Sequence, residues 1–412
     1  MDSEFFDQGI FENKNTNSNL ANRDAFYRFR VSDPFTLFDS QNRYRDMGRM
    51  SYATNGSGSY TYSANESAIN LIVTSASGDY TYAESKRVMP YQPGKSLLVM
   101  QTFVFATANS NLKQRIGLFG TQNGVYLEQD GTTLYFVLRS YVGGSVDNSR
   151  RVAQADWNGH KFDGSAFYQR QLDVTKANIL WMDVEWLGVG DVRCGFIVDG
   201  VPIVAHTFHN DNLNTTTYMT TSTLPLRAEI ENTGNTGVTS TMKVICSTVI
   251  SEGGYQGKSI INHASTTIVS NDYKTLSTPG TFYPMISMRL KSSRLDAVVL
   301  PIQVDTLCST SDNIYWKLLL NPTLNSNAGF ADYSSLSSVQ IDTAATSMSD
   351  LGTVINGGLI YQKGATAISG VDNFNFQLGR TIQGTSDIIT LAFAGSANTA
   401  KGVAAIGWME LV

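Results

Sequence analysis

Asp183 and Glu185 stand two residues apart in a stretch that alternates like a β-strand, so both carboxylates fall on one face. Paired carboxylates can hydrolyse a glycosidic bond, the retaining mechanism needing them about 5 Å apart. Trp181 and Leu187 flank the pair, so the acidic run stops at two. The simpler reading is a solvated face with Arg193 opposite. His206 and His209, with Asp211 nearby, have the side chains of a metal site but not its spacing. Three apart on an extended strand, the two imidazoles face opposite ways, and no third ligand is suitably placed. They read as a strand end running into a polar loop. The chain has neither a Gly-x-Ser-x-Gly elbow nor a Gly-x-x-x-x-Gly-Lys phosphate loop. The expectation is no catalytic residue, no metal and no cofactor. Trp157, His160 and Tyr168 lie in a polar stretch, Asn148 to Gln171, that reads as a long surface loop. Their rings offer an apolar face to a sugar or to another subunit. The alternative is that Trp157 anchors the loop to its own domain, and nothing in the sequence decides between the two.

The element that must position these residues is Ile179 to Phe208. Leu180, Met182, Val184 and Trp186 alternate with Trp181, Asp183 and Glu185. Val192, Cys194, Phe196 and Val198 repeat the period. Asp199-Gly200 then turns the chain, because a type I′ turn needs positive φ at both positions. Val201, Ile203 and Ala205 begin a third strand. Ile69 to Val73, Ser96 to Thr107, Arg115 to Phe119, Val125 to Glu128, Thr133 to Ser140, Pro225 to Glu231 and Met242 to Ile250 also read as strands. With roughly ten to twelve strands and no convincing helix, two antiparallel sheets face to face are the natural solution.

Ser251 to Ser265 carries three glycines and breaks the pattern. A second β region follows, with strands at Phe282 to Leu290, Ala297 to Thr306, Ile314 to Leu320, Phe374 to Leu378, Ile388 to Ala394 and Ala404 to Leu411. The expected division is an arm and lead-in segment over 1–50, a jelly-roll β-sandwich over 51–250, a linker over 251–265 and a smaller C-terminal β-sandwich over 266–412. In the arm, Phe5, Phe6, Ile10 and Phe11 precede an Asn-rich run, too little apolar surface to fold alone. These four are expected to dock on a neighbouring subunit. Arg28, Arg30, Arg43 and Arg45 mix with aromatics and are expected to pair with Asp24, Asp33 and Asp39 while Phe35, Leu37 and Phe38 anchor the arm.

Across 412 residues, 42% are hydrophobic and 16% charged, with a net charge of −5. Such a chain buries a core under a Ser, Thr, Asn and Gly surface. No basic cluster argues for nucleic acid. Cys194, Cys246 and Cys308 match neither a zinc spacing nor a disulfide framework, and all three are expected as reduced thiols. The N-terminus is acidic and polar, and no apolar run of about 18 residues follows. The expectation is synthesis in a host cytoplasm, no membrane insertion, and release by a route such as lysis.

The series IGLFGTQNGVYLEQDGTTLYFVLRS, then WMDVEWLGVGDVRCGFIVDG, then MKVICSTVI resembles the concanavalin-like jelly rolls of legume lectins, laminin-G modules and family-16 glycanases. That resemblance spans about half the chain and concerns architecture. Family-16 glycanases use a Glu-x-Asp-x-(x)-Glu strand, from which Trp181 and Leu187 depart. Legume-type lectins carry a calcium ion, for which no site is placed here. RDAFYRFRVSDPFTLFDSQ and LPLRAEIENTG…STMKVICSTVISEGGY look like virion proteins of tailed phages, aquatic ones especially, of tail-fibre or head-decoration type. This resemblance implies a non-enzymatic virion structural protein that assembles with its own copies and other virion proteins through sheet edges, loops and the arm. The rival is a glycan-binding adhesin that recognises host surface polysaccharide through loops of the first domain. A glycanase comes third.

Overall fold

The computed structural model describes residues 33–165, 171–257, 259–269, 272–369 and 376–411. The fold is all-β, with 3-10 turns at Gln154–Asp156 and Ser292–Arg294 as its named helical pieces. Strands β1 (Pro34–Gln41), β2 (Met50–Asn55), β3 (Ser59–Ser63), β4 (Ala68–Val73) and β5 (Tyr80–Ser85) open the first sandwich. Strands β6 (Ser96–Val104), β7 (Leu112–Phe119), β8 (Gly124–Asp130), β9 (Thr133–Ser140) and β10 (Asp147–Ala153) continue it. Strands β11 (Asn178–Val184), β12 (Val192–Val198), β13 (Val201–Phe208), β14 (Leu226–Asn232) and β15 (Ser240–Glu252) complete it. One sheet runs β13-β12-β11-β6-β15-β4-β3, with β1 added beside β15, and the other runs β10-β9-β8-β7-β14-β5-β2. Alternate residues of each sheet meet in one core, Val99, Leu180 and Phe196 from the first against Ile116, Phe136 and Ile230 from the second. The expected meander is present in antiparallel register, and Asp199 and Gly200 both have positive φ, 53° and 81°.

The second sandwich holds β16 (Ile260–Ser265), β17 (Lys274–Thr275), β18 (Tyr283–Leu290), β19 (Val298–Cys308) and β20 (Ile314–Leu320). Short strands follow, β21 (Thr323–Leu324), β22 (Ala331–Asp332), β23 (Val339–Asp342) and β24 (Met348–Asp350). Then come β25 (Thr353–Ile360), β26 (Ala365–Ser369), β27 (Ile388–Gly395) and β28 (Lys401–Leu411). A five-stranded sheet, β16-β28-β19-β26 with β17 on β28, packs on a six-stranded one, β22-β23-β18-β27-β20-β25. Val304 and Ile406 meet Ile286, Trp316 and Leu391 between them.

Several expectations change. The linker is shorter than 251–265, since β15 runs to Glu252 and β16 starts at Ile260. Part of the lead-in is sandwich, because β1 pairs with β15 and Phe38 is buried. Asn148 to Gln171 is not all loop, as β10 pairs with β9. Phe374 lies outside the described residues, and Phe376 to Leu378 run as irregular chain rather than a strand. All three cysteines are free, but Cys246 is exposed where its strand breaks register between Val244 and Ser247. Asp39 pairs with Arg49 at 2.6 Å, and Arg43 lies over the Tyr44 ring. Arg28, Arg30 and Asp24, like Phe5, Phe6, Ile10 and Phe11, lie outside the described residues.

The two sandwiches touch through residues 376–387. Arg380 N donates to Lys86 O at 2.7 Å, Ile382 N to Ser51 Oγ at 3.0 Å, and Gln383 Nε2 to Tyr52 O at 2.7 Å. Val88 packs with Val298, Leu300 and Met409.

Candidate functional site

Each candidate has a definite place. Asp183 lies directly across from Arg193 in the β11–β12 register and is ion-paired with it. The partner is the one expected, but Asp183 is buried rather than solvated, while Glu185 is exposed just past the strand. Trp157 is not a surface ring. It is 1% exposed and sits against Phe136, ring centroids 4.6 Å apart, with Nε1 donating to Val152 O at 3.2 Å. Its indole faces the core of its own domain and so offers nothing to a sugar. The loop around it has a structural role, since Gly159 N and His160 N donate to Ala205 O and Val204 O and so cover the outer edge of β13. An exposed edge strand otherwise invites pairing with another chain. His160 lies against Phe162 with the rings tilted, and Tyr168 lies outside the described residues. Trp157, at least, is therefore an anchor within its own domain and not part of a surface patch.

His206 and His209 are also separate. Burial first, then Arg150 and His209, depress His206 from 6.5 to about 4. His209 Nδ1 lies 3.0 Å from Asp191 Oδ2. Among the described residues, no three His, Cys, Asp or Glu side chains gather as a metal site would need.

The largest gathering of charge escaped the sequence reading. Strand β14 puts Leu226, Ala228 and Ile230 in the core, so Arg227, Glu229 and Glu231 face outward. There they join neighbours from β5, β7, β8 and β10. Arg151 Nε meets Glu128 at 2.7 Å, and Arg115 bridges Glu128 and Glu229, each at 2.6 Å. Arg227 bridges Glu229 at 2.5 Å and Glu84 at 2.6 Å. From the second sandwich, Arg380 pairs with Glu84 and, at 3.0 Å, with Asp296. Burial opposes ionisation of Glu229, but Arg227 and Arg115 outweigh it and hold the carboxyl below its ordinary range. A carboxylate held this way has no proton to give, so the ladder is ill suited to general-acid chemistry. A cleft of about 310 Å³ opens where Arg380 meets Glu84 and Arg227.

An open groove of about 670 Å³ lies at one end of the first sandwich. One wall is the β9–β10 loop, with Ser145 and Val146, and the first residue of β10, Asp147. The other is the chain after β13, with Leu213, Asn214 and Thr216. Asn123 ties the walls together. Its Oδ1 accepts from Tyr141 N and Thr220 N, both at 3.1 Å, and its Nδ2 donates to Thr220 Oγ1 at 2.7 Å. Arg150 fixes the floor through Asn210 Oδ1 and, at 3.1 Å, His209 O. Asp147 is turned by accepting from Ser149 N at 2.7 Å. Leu213 and Val146 remain exposed beside these hydroxyls and amides. The groove thus alternates small apolar surfaces with hydrogen-bonding groups on pre-formed loops, the character of a site for a polyhydroxylated ligand.

The sequence matches no protein-family model and no curated protein. Solved structures overlap it loosely. The CBM2 module of the evolved Dit of Lactobacillus casei BL23 phage J-1 does so at a TM-score of 0.36 and 8% identity, over 55% of this chain and 100% of that one. Bacillus licheniformis beta-glucanase does so at 0.33 and 12%, over 52% and 97%. Peanut lectin does so at 0.32 and 10%, over 53% and 98%.

Proposed function

We propose that this chain is a non-catalytic glycan-binding protein of a virus particle, made in the host cytoplasm, that holds surface polysaccharide in the groove between the β9–β10 loop and residues 209–218. The observation that carries the reading is the groove itself, open, pre-tied by Asn123 and lined by Asp147, Asn214 and Thr216 beside exposed Leu213. The ion-paired ladder supports the non-catalytic half, since its acids are committed to guanidinium groups. The sequence resemblance to tailed-phage proteins supports the virion setting. The test is binding of the full chain to an array of bacterial surface glycans, beside the Asn214→Ala/Asp147→Asn variant. A loss of roughly tenfold or more, about 1.4 kcal/mol, with unchanged melting is expected. No binding by the parent chain, or equal binding by the variant, would sink the reading. Turnover of the glycan would replace it with an enzyme.

A second reading, a virion structural subunit, rests on a different observation. Outer strands of the second sandwich carry exposed apolar side chains, Ile260 and Ile261 on β16 and Val354 and Leu359 on β25. Such edges are suited to burial in an assembly with other copies. Oligomers in solution without glycan binding would favour it.

A further inference from the structure

Two arginines stand side by side on β10 and are held differently. Arg151, opposite Val137, joins the charge ladder through Glu128 and Asp130, each at 2.7 Å. Arg150, opposite the core residue Leu138, turns to the other side, and its guanidinium lies over the Phe208 ring, 5.4 Å from the centroid. There it lines the groove between the β9–β10 loop and the chain after β13. Its terminal nitrogens donate to Asn210 Oδ1 and, at 3.1 Å, to His209 O, both uncharged acceptors. Among the described residues no carboxylate pairs with it, whereas Arg115, Arg193, Arg227 and Arg380 each have one or more.

The difference shows in ionisation. Burial opposes the charge on Arg115, Arg151, Arg227 and Arg380, yet their carboxylates hold all four above the ordinary guanidinium range. Burial pushes Arg150 the other way, with the Tyr218 hydroxyl, not a carboxylate, set against it. Asp147 is the acid that lines the groove, and its oxygens are turned to Ser149, accepting from N at 2.7 Å and from Oγ at 3.0 Å. A half-buried charge without an opposite charge is costly, and one kept in a groove marks a place where a ligand supplies the partner. Nε of Arg150 makes no hydrogen bond among the described residues, and each terminal nitrogen keeps a second N–H. That fork matches an anion with two oxygens to offer.

We propose that the groove takes an acidic glycan, with the anionic substituent of one sugar seated on the Arg150 guanidinium and the sugar hydroxyls served by Asp147, Asn214 and Thr216. The inference rests on the glycan reading of this groove and narrows it to polymers that carry carboxylate or sulfate. A neutral polysaccharide would leave the guanidinium uncompensated.

The test is titration calorimetry of the full chain with matched polymers, a hexuronate polysaccharide beside its carboxyl-reduced form and a sulfated polysaccharide beside its desulfated form. At least one charged member should bind roughly tenfold or more tightly than its neutral counterpart, and the pair that shows the gap names the anion. The gap should narrow as ionic strength rises past about 0.15 M. Arg150→Gln, which keeps an amide donor and removes the charge, should close it. The matched pairs on the parent chain decide the charge preference even where that variant melts early. Equal binding of charged and neutral members would overturn the inference and leave the glycan reading standing. No binding of any polymer would overturn both. A charge preference that survives in an Arg150→Gln chain melting like the parent would overturn the assignment to Arg150.

Discussion

Acidification should loosen the first sandwich through one side chain, His206. It is 7% exposed, its Nδ1 accepts from Asn158 N at 3.4 Å, and Arg150 and His209 add positive charge nearby. Burial leads these causes in holding its pKa at about 4 instead of 6.5. Below 6.5 the unfolded chain takes up a proton that the folded chain refuses. The folded state therefore has its full stability above that value and loses it as pH falls toward 4. One pKa unit corresponds to about 1.4 kcal/mol. Between about pH 7 and pH 5 the shift costs about 2 kcal/mol, or about 1 once solvent screening at the ring's open edge is allowed for. The assay is urea unfolding at a series of pH values for the parent and a His206→Gln variant. Glutamine keeps an acceptor for Asn158 N but does not titrate in this range. Titrating groups remote from His206 contribute equally to both proteins and cancel in the difference. Equal pH slopes in the two would refute the account. So would faster amide exchange at Gly159 and His160 in acid that persists unchanged in the variant, since the reasoning routes that loosening through His206.

Two further outcomes test the packing. Trp157→Ala should cost about 3–5 kcal/mol in urea unfolding, because the indole is buried against Phe136 and Phe196; a cost under about 1 kcal/mol would mean the ring is not the plug described. Arg380→Met should cost about 1–3 kcal/mol, since Glu84 keeps Arg227 but loses its second guanidinium, and calorimetry should then resolve two melting steps where a single step is expected of the parent.

The strands that could be read from the sequence are those with one dry and one wet face. β11 and β12 alternate in sequence because the core lies on one side, whereas β6 reads as apolar on both faces and only its burial alternates. β10 was missed because its seven residues, DNSRRVA, are all exposed or half-buried, so no apolar period exists to be seen. The short strands between Asn321 and Ile368 were missed for the same reason, their order coming from pairing rather than from pattern. The expected patch failed differently. Trp157 sits in polar sequence, yet the loop folds back along β13 and carries the ring inward. The sugar-sized groove had no sequence signal beyond turn-rich composition, because its walls lie far apart in the chain and meet through Asn123 and Arg150.

The charge ladder is the instructive omission, because its signal was present. Arg227-x-Glu229-x-Glu231 alternates as cleanly as any apolar run, and period two alone puts all three on one face. What the sequence cannot supply is which strands lie alongside. Only in the sheet does Glu229 stand between Arg115 and Arg227, and only the docked second sandwich brings Arg380 to Glu84. Buried ion pairs contribute little net stability, because desolvation offsets most of the attraction. They do penalise misalignment. A one-residue slip of β14 would turn Leu226, Ala228 and Ile230 outward and drive three charges into the core, while taking Glu229 from Arg115 and Arg227 from Glu84. The outward face of β14 is thus better understood as the device that sets the register of the sheet and the seat of the second sandwich. That leaves the loop end of the first sandwich, where hydroxyls and amides line an open groove, as the surface on which binding should be sought.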